Sequence, residues 1–149
     1  MDTFSKNLLI KVATKAQELA VLKWKDILAN NGHIPPYYPE EIRTLKDGCN
    51  CDCSYCALFD YCANCPMREG EIVCADDRHI WCEWDKHDTW DNAKKVMDKI
   101  NTITVEQIAD KLEASLTNNE YVEERIPVMT SRSTTLCLSN FCLAFNIKE

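Results

Sequence analysis

Glycine is scarce: Gly32, Gly48 and Gly70 are all that 149 residues contain, and no two are close together. Loops that cradle phosphate on backbone amides need glycines in near succession, so the common nucleotide-binding signatures are excluded. Long apolar runs are missing too, and none approaches the roughly 20 residues that cross a bilayer. The opening residues, Met1 to Lys6, show no basic stretch leading into an apolar one. The expectation is therefore a cytosolic protein without a secretory signal, in a compartment that keeps thiols reduced. Positive charge is also short, with 17 Lys and Arg against 24 Asp and Glu for a net −7. Residues 1–46 hold seven basic against five acidic side chains, residues 47–101 six against twelve, and residues 102–149 four against seven. Nucleic-acid binding leans on a basic footprint that displaces counterions. The acidic middle disfavours a groove-binding zinc finger and leaves only the lysines of the first segment for that role.

Catalytic signatures are equally thin. The H-x-E…C-x-x-C arrangement of zinc deaminases is absent, and no nucleophile–base pairing stands out. Asp76, Asp77, Glu83, Asp85 and Asp88 form a charge run that reads as a solvated face. The expectation is a non-enzymatic protein.

What the chain does have is cysteine: ten in all, eight of them within the 34 residues from Cys49 to Cys82. Two C-x-x-C pairs, Cys53/Cys56 and Cys62/Cys65, each place two thiolates on a tight turn where both can face one cation. The primary expectation is a tetrahedral site of Cys53, Cys56, Cys62 and Cys65. Four soft thiolates with no need for redox chemistry point to structural zinc. The five-residue loop between the pairs is short for a zinc ribbon, so a set in which Cys74 replaces Cys62 stays open. A second quartet, Cys74, His79, Cys82 and His87, has zinc-compatible residue types, giving one ion or two, although histidines among charged residues are more often solvated. Trp81, Trp84 and Trp90 lie near enough in sequence to shield it. Cys49 and Cys51 are expected outside the ligand set, and Cys137 and Cys142 as packing residues. An iron–sulfur cluster is the alternative cofactor, since Pro66 after Cys65 matches ferredoxin-type ends. A disulfide framework would need an export signal.

With 46% hydrophobic and 28% charged residues, the chain reads as one α+β domain with its own core. It divides into an N-terminal helical segment 1–47, a cysteine-rich metal-binding lobe 48–88, and helices plus a C-terminal β-hairpin over 89–149. Leu8, Val12, Ala16, Leu19, Trp24 and Ile27 set a helix from about Phe4 to Ala29, with Lys6, Lys11, Lys15, Lys23 and Lys25 mostly off that stripe. A short helix follows Pro39 to about Lys46, and Asp47–Gly48 is expected to turn the chain. A helix capped near Thr89 runs to about Ile100. Thr104 with Gln107 makes a capping box for another, closed by Asn118–Asn119. Tyr121–Met129 and Thr134–Ile147 read as strands joined by the turn 130–133. A one-residue slip in facing near Ser139–Asn140 suggests a bulge.

From Trp24 to Trp90 the pattern resembles a group of small, uncharacterised, cysteine-rich bacteriophage proteins. The matching residues are Trp24, Cys53, Cys56, the aromatic-bearing stretch Ala57–Phe59, Cys62, Cys65, Pro66, Cys74 and Trp81. Cys49, Cys51 and Cys82 depart from that array. The resemblance implies a phage gene product acting in a bacterial cytosol, where such accessory proteins bind and divert host machinery. Tyr55, Phe59, Tyr61 and Trp84 on the acidic lobe are the expected contact aromatics of a host-protein modulator or inhibitor.

Overall fold

Ser5 accepts the Leu8 N–H at 3.1 Å and opens α1, Lys6–Ala29, the longest helix of the computed structural model. The model describes residues 4–59, 65–74, 76–125 and 134–149, with backbone alone for 117–125. The whole expected stripe from Leu8 to Ile27 is buried. The helix ends where Asn31 and Gly32 turn to positive φ. Gly32 lies so close to the Thr89 carbonyl that a Cβ there would collide with it, which locks the end of α1 onto the segment just before Trp90.

α2 spans Glu40–Cys49, with Glu40 and Glu41 at its positive end and Lys46 in its last turn. α3 is Ser54–Leu58 and α4 is Ile80–Lys86. α5 spans Trp90–Asn101, capped by the Thr89 hydroxyl on the Asn92 N–H, and α6 spans Val105–Arg125. The capping box at its start is closed both ways: Gln107 N–H to Thr104 Oγ1 at 3.1 Å and Thr104 N–H to Gln107 Oε1 at 2.9 Å. α7 is Thr134–Phe145. α5 and α6 pack along α1, α4 packs on α5, and α7 covers α2, α3 and α6.

The expected α+β architecture is overturned by helix. Among the described residues the only β pairing is an isolated bridge between Glu69 and Ile72, and no C-terminal hairpin exists. Thr134, Cys137, Leu138 and Phe141 are buried together, at intervals of three, one and three that belong to a helical face. The apparent slip in strand facing was therefore the 3.6-residue period showing through a segment apolar nearly all round. Asn118 and Asn119 do not close α6, which runs on through Tyr121 to Arg125 and absorbs the start of the other expected strand. Residues 126–133, with its end and the turn, lie outside the described residues.

Gly48 does not turn the chain either. It sits inside α2, where a Cβ would stand 2.7 Å from the Ala144 Cβ of α7, so the glycine is there for close helix approach.

Candidate metal centre

The cysteine lobe is positioned by hydrogen bonds onto α1. Ser54 donates to the Ala16 carbonyl at 2.7 Å, and Tyr55 donates to Gln17 Oε1 at 2.6 Å. Gln17 in turn donates to the Ile100 carbonyl at 2.9 Å, so one side chain ties α3, α1 and α5 together. Ala16 and Ala20 are small enough to let α3 approach. With Ser54 and Tyr55 committed to α1, Cys53 at the N-cap of α3 and Cys56 one turn on are left beside Cys51.

The other strand of the site is the segment 65–74. Cys65, Pro66 and Met67 form a tight turn in which the Met67 N–H donates to Cys65 Sγ at 3.4 Å and Arg68 N–H to the Cys65 carbonyl at 3.0 Å. An amide donated to sulfur favours the thiolate that a metal needs. Glu69 and Ile72 then exchange backbone hydrogen bonds around Gly70, which returns the chain so that Cys74 meets Cys65.

The thiols meet as a trio and a pair. Cys56 shares its hydrogen with Cys51 and Cys53, which pushes its own pKa up. Those hydrogen bonds draw Cys51 down to about 7 and Cys53 to about 6, the latter helped by the Lys23 charge. Cys74 is likewise lowered and Cys65 raised by their mutual bond, and the charge on Cys53 acts on both. Burial, then the charges of Cys53 and Cys65, push the Tyr55 hydroxyl well up, so it stays a hydrogen-bond donor. Every cysteine among the described residues is a thiol rather than half of a disulfide.

Of the first expected quartet, Cys53, Cys56 and Cys65 are thus brought together, joined by Cys74 and by Cys51; Cys62 lies outside the described residues. Among the described residues no group of three or more His, Cys, Asp or Glu side chains already has the geometry to hold a metal ion. The donor chemistry fits one nonetheless: soft sulfur ligands on two turns, with a backbone amide aimed at Cys65. Cys53, Cys56, Cys65 and Cys74 are the residues that would hold it. A cavity of about 290 Å³ adjoins the sulfurs, and its lining includes Cys51, Cys53, Cys56 and Cys74 together with Lys23, Trp24 and Trp81.

The second expected quartet is not assembled. Cys74 faces Cys65. His79 is buried with both ring nitrogens engaged: Nδ1 accepts the Trp81 N–H at 2.9 Å and caps α4, and Nε2 donates to the Met67 carbonyl at 2.7 Å. It ties α4 to the Cys65 turn instead of binding an ion. Cys82 Sγ points to Asp77 Oδ1 at 3.8 Å, and His87 is exposed at the end of α4. Trp24 and Trp84 meet edge to face at 4.7 Å and Trp84 donates to the Gly32 carbonyl, whereas Trp90 is exposed and shields nothing.

Two features escaped the sequence reading. Lys23 is buried, its ammonium 3.2 Å from Asp52 Oδ1 and 5.8 Å from the ring centres of both Trp24 and Tyr38. The signal was available, since position 23 lies two turns after Ala16 on the buried stripe. Tyr55, Phe59 and Trp84, the expected contact aromatics, are 1%, 4% and 4% exposed, so they pack rather than present; Tyr61 lies outside the described residues. No protein-family model, curated protein or solved structure matches the chain.

Proposed function

We propose that this chain is a zinc-stabilised, non-enzymatic binding protein that acts on another protein, and that the ion closes the cysteine lobe against α1. The observation that carries the reading is the meeting of Cys51, Cys53 and Cys56 with Cys65 and Cys74, from two separate turns, at a wall formed by the central helix. Free thiols gain little from such crowding, whereas a divalent ion turns it into folding free energy.

A protein partner is favoured over nucleic acid by how the lysines of α1 are used. Lys6 pairs with Asp110 and Glu113, Lys15 with Glu41, and Lys23 with Asp52, which takes them out of a phosphate-binding stripe. The contact surface moves from the expected aromatics to Ile34, Tyr37 and Trp90, which are 57%, 83% and 47% exposed. Two of these stand on the Pro35–Pro36 connector, and Trp90 begins the helix that Gly32 packs against. Following the phage resemblance, the partner would be a bacterial host protein that the chain modulates or inhibits in the cytosol.

Metal analysis of reduced, freshly purified protein tests the first half: about one zinc per chain is expected. Absorbance near about 400 nm with bound iron would instead favour the iron–sulfur alternative. For the second half, a partner captured from host lysate by the wild type and lost by Tyr37→Ala or Trp90→Ala supports this surface. Retention by both variants removes it.

A further inference from the structure

Burying a lysine in a helical core costs several kcal/mol unless something compensates its charge. Lys23 is 7% exposed and lines the cavity beside Cys51, Cys53, Cys56 and Cys74. Among the described residues lining that cavity it is the only cation. Among the described residues its carboxylate partner is Asp52, which keeps 40% of its side chain in solvent and sits between Cys51 and Cys53. A divalent ion with four thiolate ligands carries a net charge of −2, and Asp52 adds another negative charge on the same turn.

We propose that Lys23 is the counter-charge of the thiolate centre: its buried ammonium offsets the negative charge of four sulfur ligands and sets how tightly the ion is held. This rests on the zinc reading above. The cost of burying Lys23 is then met by the whole sulfur cluster rather than by one half-exposed carboxylate. The rings of Trp24 and Tyr38 flank the ammonium and steer it without supplying a formal charge.

The alternative is a local Lys23–Asp52 ion pair with no bearing on the metal, which predicts unchanged zinc affinity in both Lys23→Met and Asp52→Asn. Zinc affinity of the full, reduced chain is measured by competition with a chromophoric chelator for wild type, Lys23→Met, Lys23→Arg and Asp52→Asn. Lys23→Met is expected to weaken zinc binding tenfold or more, Lys23→Arg to restore it to within a few-fold, and Asp52→Asn to tighten it. Unchanged affinity in Lys23→Met overturns the proposal, as does a loss in Asp52→Asn equal to that in Lys23→Met. Should Lys23→Met not fold, Asp52→Asn decides alone: tighter zinc binding supports the proposal, and unchanged or weaker binding overturns it. A wild type that binds no zinc fails the metal reading itself, which separates that failure from this one.

Discussion

In the helical bundle, Leu19, Ile100, Ile108 and Leu112 are at most 1% exposed, and they belong to one continuous apolar core fed by α1, α5 and α6. Between Cys49 and Cys82 the chain offers much less. Its described regular structure amounts to the five-residue α3, one isolated bridge and the start of α4. Tyr55, Leu58, Phe59 and Met67 anchor this lobe in the bundle's core, and around the cysteines single polar links take over: Ser54 to Ala16, Tyr55 to Gln17, His79 to Met67, Met67 to Cys65. Each link is worth about 1 kcal/mol net, against chain entropy of about 1–2 kcal/mol for every residue ordered. The bundle is held by area throughout, whereas the lobe shares that area only through α3, Phe59 and the Cys65 turn and holds its cysteines by points. That contrast is the physical reason for expecting a metal here, as in other small lobes that cannot build a core of their own.

The sharpest way to break the contrast is to remove the ion. With metal-binding free energy on the order of 10 kcal/mol, chelation or Cys65→Ser should unfold the lobe while the bundle stays helical. Far-ultraviolet circular dichroism should then fall only in part, while tryptophan fluorescence changes strongly because Trp81 and Trp84 lie at the junction. Loss of all helix together, or of none, would erase the distinction between the regions. Phe141→Ala should act on the bundle instead, costing about 3–5 kcal/mol in denaturant titration while leaving zinc content unchanged, because Phe141 is fully buried in α7.

Smaller effects sharpen the boundary. Gly48→Ala forces a Cβ against Ala144 and should cost about 1–3 kcal/mol through overpacking of α2 against α7, read as a lowered melting temperature. Thr104→Ala opens the capping box and should cost about 1 kcal/mol, with no effect on metal content. The smallest concerns His33, whose Nδ1 lies 2.6 Å from Asp88 Oδ2 and holds that carboxyl below its usual range. A depressed carboxyl stabilises the fold above its unfolded pKa and loses that contribution as pH falls through the folded value. His33→Ala should therefore flatten the acid limb of the stability profile slightly and leave neutral pH nearly unchanged.

The helices were legible where one face alone meets the core. Leu8 to Ile27 repeat at helical spacing with charge opposite them, and Thr104 with Gln107 writes its own start signal. Legibility failed in α7, because Phe141, Cys142, Leu143, Ala144 and Phe145 leave no polar face to set a period, so strand and helix patterns both fit. It failed again at Gly48, where a residue read as a turn is demanded by a neighbouring helix. At the site, the choice of thiols was legible only as a set. Which sulfur meets which depends on how the Glu69–Ile72 turn returns the chain, and that is a tertiary fact.

The sequence by itself determined the chemistry: a dense run of soft ligands in an acidic middle, flanked by amphipathic helices whose spacing is local and needs no partner to be read. Only the tertiary structure decided that Cys74 turns to Cys65, that His79 spends both nitrogens on backbone, and that Lys23 is buried against Asp52 and two aromatic rings. Spacing along a chain fixes which face a residue takes on its own helix, but what lies opposite that face is settled by how segments far apart in sequence pack.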